Sequence, residues 1–185
     1  VFMLRTEGIV LSEMRYKDTS KILNIYTRKY GKISVMARGA YKPKSILIAS
    51  TQPFSYNEYL LHKGRSFYYL NQASLINPFY DMRENMERFL YGCYLLELVD
   101  KSTPEEEASE KLFLLLAKAL EVLSYMESGF PKFSTAFGLK YISFLGYRPN
   151  LGSCSHCGRK DLGRVKFSHP EGGIICKHCF SVDPK

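Results

Sequence analysis

The chain has 185 residues, 45% of them hydrophobic and 24% charged, with a formal net charge of +8, which allows one or two compact domains with a real core. Its longest apolar stretch, 112–123, is too short for a membrane span and carries Lys118 and Glu121, and the early run 8–11 falls well short of a secretory signal. No internal repeat, low-complexity tract or long linker interrupts it, and the charge is uneven: +8 over 1–80, −3 over 81–150 and +3 over 151–185.

The first seventy-five residues read as strands, at about 5–13, 21–28, 33–38, 54–62 and 66–75. In the third, Ile33, Val35 and Ala37 alternate with Ser34, Met36 and Arg38, the period of two that buries one face. Gly31 and Lys63-Gly64 punctuate the pattern at hairpin-like spacing. Five short strands without long helices predict a small closed or nearly closed barrel. An OB-fold is the candidate, and its open face commonly binds single strands. Within 15–44, nine basic residues face the single acid Asp18: Arg15, Lys17, Lys21, Arg28, Lys29, Lys32, Arg38, Lys42 and Lys44. They form a candidate polyanion surface, although basic side chains also serve solubility. Tyr16, Tyr26, Tyr30 and Tyr41 are interleaved with them and suit base stacking or an ordinary place in strand and core.

Near Asn77-Pro78 the period changes. Met82, Met86, Phe89, Leu90, Cys93 and Leu96 recur at helical spacing, and this helix stops before Pro104. Cys93 reads as a small buried hydrophobe. The next helix is expected to start at Thr103 as N-cap, with Pro104 in the first turn and Glu106 completing a capping box. Glu105, Glu106 and Glu107 then complement the helix dipole rather than form a catalytic cluster. Leu112, Phe113, Leu115, Leu116, Ala119, Leu120 and Leu123 supply a broad apolar face. A third helix is expected over 131–145, and the three pack as a small bundle.

The C-terminal part carries Cys154-x2-Cys157, eighteen residues, then Cys176-x2-Cys179. That spacing fits a closed, structural four-thiolate zinc site with one hairpin between the pairs, 165–167 against 174–175; disulfides and redox-active dithiols are the alternatives. With all four positions taken, no place remains for a catalytic water. His156 and His178 lie inside the knuckles and face solvent. Arg159, Lys160, Arg164 and Lys177 either extend a nucleic-acid surface or offset the charge of a tetrathiolate. Free thiols arranged for metal, without an export signal, point to a reducing cytosol.

No phosphate loop, nucleophile elbow or His-Glu-x-x-His occurs, and the acids of the basic half are too scattered for a two-metal nuclease, so the chain reads as a binding protein and not an enzyme. A zinc-ribbon protein of transcription or RNA handling fits the charge and cysteines as an alternative, and a dithiol enzyme is a third, weaker one. The runs Thr6-Glu7-Gly8-Ile9-Val10-Leu11, Tyr16-Lys17-Asp18-Thr19-Ser20-Lys21-Ile22-Leu23, Tyr30-Gly31-Lys32 and Ala37-Arg38-Gly39-Ala40 resemble the N-terminal signature of the bacterial RecO family of recombination mediators. Gly146-Tyr147-Arg148-Pro149-Asn150-Leu151, Cys154-Ser155-His156-Cys157-Gly158 and Gly172-Gly173 before Cys176 are similar to its helical and zinc portions.

The resemblance implies an α+β chain: an OB-fold over 1–78, a helical domain over 79–150 and a zinc element over 151–185 docked on it. It implies a cytoplasmic, nucleoid-associated bacterial protein that binds single- and double-stranded DNA, anneals complementary strands and, with RecR, helps RecA replace single-strand-binding protein (SSB). The expected site residues are Cys154, Cys157, Cys176 and Cys179 for one Zn2+, and Arg15, Lys17, Lys21, Arg28, Lys32, Arg38, Lys42 and Lys44 for DNA. The acidic, apolar-tipped SSB tail needs a cation beside an apolar slot; Lys132, Lys140 and Arg148, near Phe133, Phe137, Tyr141 and Phe144, are the candidates. Family members usually continue through further C-terminal helices, so a truncated chain is expected, and Met3 is a more natural start than Val1.

Overall fold

The computed structural model describes residues 2–184. Five strands form the predicted barrel: β1 (Met3–Tyr16), β2 (Ser20–Thr27), β3 (Gly31–Ala37), β4 (Tyr56–Lys63) and β5 (Tyr68–Asn77). Their order around the closed barrel is β1-β2-β3-β5-β4. All neighbouring pairs are antiparallel except β3 and β5, which close the barrel through a short parallel contact at Val35 with Tyr68 and Met36 with Tyr69. An irregularity between Val10 and Ser12 bends the long β1, so that its first half pairs with β4 and its second half with β2. Alternation fills the interior with Val10, Leu23, Ile25, Ile33, Val35, Ala37, Tyr59 and Leu61. The Tyr59 hydroxyl is satisfied inside by Ser50 O (3.0 Å) and by Asn57 (2.7 Å).

Three helices follow: α1 (Met86–Ser102), α2 (Glu110–Tyr125) and α3 (Phe130–Phe144). Thr103 does not cap α2 as expected. Thr103 ends α1, its hydroxyl donating to Val99 O at 2.6 Å, and α2 begins six residues later with Ser109 as N-cap, which accepts from the Leu112 N–H. The Thr-x-x-Glu spacing has been taken over by tertiary bonds: Glu106 sits in the left-handed region at φ 58°, and its N–H donates to Lys32 O on β3 at 2.9 Å. Residues 103–109 therefore form an acidic strap along the barrel edge.

The buried face of α1 also differs from the expected stripe. The helix buries Gly92, Leu95, Leu96 and Val99, while Met86, Leu90 and Tyr94 are exposed. The apolar face of α2 is buried as expected at Leu112, Phe113, Leu116, Leu120 and Leu123. Besides meeting α2, α1 packs on β1 and β2. Asp100 fixes that contact, accepting from Ser12 (3.0 Å) on β1 and Asn24 (3.3 Å) on β2.

The chain divides into two compact units, residues 1–134 and 135–185. In the second, β6 (Val165–Ser168) and β7 (Gly173–Cys176) form the expected hairpin, paired Phe167 to Ile174, and a 3-10 helix spans Lys177–Val182. Its core is Cys154, Ile175, Cys176 and Cys179 with Leu162 and Phe180 against them. Among the described residues no helix is long and apolar enough to cross a membrane.

Candidate nucleic-acid interface and metal centre

A cleft of about 590 Å³ opens at one end of the barrel, between the β1–β2 turn, the segment after β3 and the β4–β5 hairpin. Lys17, Arg38 and Lys42 supply cations to it, and Tyr16, Phe67 and Tyr69 supply rings. The Arg38 guanidinium lies 5.0 Å from the centroid of Tyr69, and His62 stacks on the same tyrosine at 5.1 Å and 14°. Nearby, the Arg15 guanidinium lies 5.5 Å from the Tyr41 ring. Cations above aromatic faces, open to solvent, form a surface on which phosphates and bases can both be met.

The eight cations expected for DNA fall into two groups. Arg15, Lys17, Arg38, Lys42 and Lys44 are exposed. The other three are engaged inside the first unit. Lys21 is only 5% exposed and paired with Glu13. Arg28 joins Glu7 at 3.1 Å to Glu110 on α2 at 2.8 Å, and both acids raise its already high pKa, Glu110 more. Lys32 donates to Asp100 O at the end of α1. Of the four tyrosines, Tyr26 is fully buried, whereas Tyr16 and Tyr41 are exposed. Sequence reasoning missed Phe67 and Tyr69. The run Lys63-Gly64-Arg65-Ser66-Phe67-Tyr68-Tyr69, basic and aromatic across a hairpin turn, was the available signal.

In the second unit the four cysteine sulfurs lie within 4.8 Å of one another. Cys157 and Cys179 each stand 3.8 Å from Cys176. Four thiolates at about 2.3 Å from a tetrahedral zinc ion stand about 3.8 Å apart, while a disulfide needs about 2.05 Å. The donor set fits a metal ion, and all four cysteines are free thiols. The first knuckle closes on itself, Gly158 N–H donating to Cys154 O and Cys154 N–H to Arg159 O, both at 2.8 Å. Gly158 takes φ 73° in that turn, where a Cβ would be strained. Backbone N–H groups of Cys157 and Cys176 aim at Cys154 and lower its pKa, whereas burial and the neighbouring thiols raise that of Cys179. Cys179 therefore resists ionisation without a cation at the centre of the quartet.

The residues expected for a partner peptide lie on α3 and just after it. Lys132 is exposed in the first unit, and Lys140 and Arg148 are exposed in the second. Phe137 and Tyr141 are buried and stacked on each other at 5.7 Å, as core residues are. Arg148 borders a cleft of about 420 Å³ with Leu139, Ser143 and Leu151.

A closed OB-type barrel with a basic, aromatic mouth, joined to helices and a four-cysteine cluster that can hold a metal ion, defines an OB-fold protein with an accessory metal element. Residues 2–79 match the family described as Recombination protein O N terminal, and residues 83–185 match Recombination protein O C terminal. The chain is 41% identical over 181 residues to the DNA repair protein RecO of Alkaliphilus metalliredigens, covering 98% of this chain and 74% of that protein. It is 39% identical to the DNA repair protein RecO of Bacillus pumilus (98% and 70%) and 38% identical to that of Bacillus subtilis (98% and 71%). The chain belongs to the RecO family of DNA repair proteins.

Proposed function

We propose that this chain is a non-enzymatic mediator of DNA repair and homologous recombination in the bacterial cytoplasm, associated with the nucleoid. It binds single- and double-stranded DNA, promotes annealing and, with RecR, assists loading of RecA on DNA coated by SSB, whose tail it also binds. The observation that carries this reading is the cleft in which Lys17, Arg38 and Lys42 stand beside Tyr16, Phe67 and Tyr69. Annealing needs two polyanions brought together, which cations achieve by neutralising phosphates without covalent chemistry. Arg15, Lys17, Arg38, Lys42 and Lys44 supply most of that charge, while Lys21, Arg28 and Lys32 hold the first unit together. The cysteine quartet holds one structural zinc ion. On this reading 1–78 is the nucleic-acid-binding domain, 79–150 the helical domain and 151–185 the zinc element.

The double variant Arg38→Glu, Lys42→Glu tests the cleft. It is expected to weaken binding of unrelated oligonucleotides alike and to slow annealing of complementary ones. Each lost phosphate contact lowers the log-log salt slope by about 0.7 for single strands. An unchanged slope places the footprint elsewhere.

A further inference from the structure

The β4–β5 hairpin has a basic side that is already occupied by the chain itself. Lys63, the last residue of β4, donates to Glu106 Oε1 at 2.6 Å, and the Tyr68 hydroxyl at the start of β5 donates to the same oxygen at 2.8 Å. The Lys63 ammonium also lies 5.2 Å from the centroid of the Tyr68 ring. One carboxylate oxygen thus rests in a small cradle of an ammonium and a phenol, the donors that would receive a phosphate oxygen. Arg65, at the hairpin tip, is exposed and has no ion pair among the described residues.

The hairpin separates two hollows. Phe67 lines the basic cleft on one side and, on the other, a hollow of about 300 Å³ shared by Lys63, Arg65, Tyr68, Glu105 and Glu106. A strand that leaves the cleft past Phe67 therefore arrives at Lys63. The acidic strap reaches this place because its backbone is anchored independently, through Glu106 N–H to Lys32 O and a parallel bridge between Lys32 and Glu105. The carboxylate side chain can let go while the strap stays. Lys63 and Glu106 are 56% and 50% exposed, so water screens the pair and an incoming phosphate can compete for it. Lys63 raises its pKa and Glu106 lowers its own through this contact, as a working ion pair requires.

We infer that Lys63, Tyr68 and Arg65 form a phosphate subsite for single-stranded DNA beyond the cleft, and that Glu106 occupies it as a built-in phosphate surrogate which bound DNA displaces. The inference rests on the DNA-binding reading of the barrel. It makes the free protein a weaker binder than its cation count suggests, because one contact is exchanged rather than gained.

The test is titration of a fluorescein-labelled oligo-dT with the full chain across salt concentrations. Glu106→Gln keeps the shape and removes the charge. It is expected to steepen the log-log salt slope by about 0.7 and to bind about three- to tenfold tighter at 0.05 M salt. Glu105→Gln, which removes the same charge without breaking an ion pair, should change binding much less. In a Lys63→Gln background the effect of Glu106→Gln should vanish. Equal effects of the two glutamine variants reduce it to net charge and overturn the subsite. So does weaker or unchanged binding by Glu106→Gln with an unaltered melting temperature, which makes Glu106 a structural post. The Arg38→Glu, Lys42→Glu variant in the same titration keeps the two readings apart: if it binds normally while Glu106→Gln tightens binding, the cleft is wrong and the subsite stands. A wild-type chain that does not bind the oligonucleotide overturns both.

Discussion

Whether a basic residue can serve DNA depends here on which acids the fold brings against it. Lys21 and Lys42 are equivalent as letters, yet Lys21 is buried against Glu13 while Lys42 lines the cleft. Arg28 is tied to Glu7 and to Glu110, eighty-two residues on. Composition could reveal the basic half, but the partners that consume its charge appear only once β1 lies beside β2 and α1 and α2 lie on the barrel. Glycine is the opposite case, since Gly31 is legible as a turn from sequence and the structure says how strictly. It takes φ 67°, and a Cβ there would stand 2.2 Å from Glu107 O on the acidic strap. Gly31→Ala is therefore expected to cost about 1–3 kcal/mol, from the left-handed backbone and the displaced strap together. Urea denaturation of the variant checks this, and a midpoint equal to wild type would mean that the strap does not press on the β2–β3 turn.

Among the elements, the strands and the cysteine hairpin were legible because a single local rule sets each of them. Period-two alternation places Ile33, Val35 and Ala37 inside whatever else the chain does, and the Cys-x2-Cys spacing fixes knuckle geometry. The start of α2 was not legible in this way. Thr103 and Glu106 satisfy a capping rule locally, but Glu106 gains Lys63, Tyr68 and Lys32 by leaving it, and Ser109 caps the helix instead. The cysteine quartet carries a prediction of its own. Its hairpin has only four residues a strand and a core made largely of cysteines with Ile175, Leu162 and Phe180, too little to fold without a cross-link. Purified protein is expected to contain one zinc ion per chain, and Cys176→Ser to lose it. Amide exchange should then accelerate over 150–184 while β1–β5 stay protected. Reduced, well-folded protein without metal would refute the assignment, as would exchange that accelerates equally in the barrel.

At the scale of the whole molecule, charge is segregated: the excess lies in the first eighty residues, the region 81–150 is net negative, and the C-terminal part is again positive. An anionic protein tail therefore has no general attraction to the helices and needs a local receptor. Of the candidates, Lys132 belongs to one compact unit and Lys140 and Arg148 to the other, and the aromatic pair Phe137 and Tyr141 is already buried. The second unit does offer a cleft of about 420 Å³ beside Arg148, with Leu139, Pro149 and Leu151 as its apolar lining. An acidic peptide tipped with an apolar residue could seat that residue there while Arg148 meets its carboxylate. A labelled SSB tail peptide titrated with the protein should bind, and Arg148→Glu should weaken it about tenfold or more, since an attractive contact becomes a repulsive one. Lys140→Glu should weaken it less, because Lys140 does not line the cleft. Oligonucleotide affinity should stay the same in both variants, since neither residue belongs to the barrel. Unchanged peptide affinity in Arg148→Glu would move the receptor out of this cleft, and a parallel loss of oligonucleotide binding would show that Arg148 serves DNA instead.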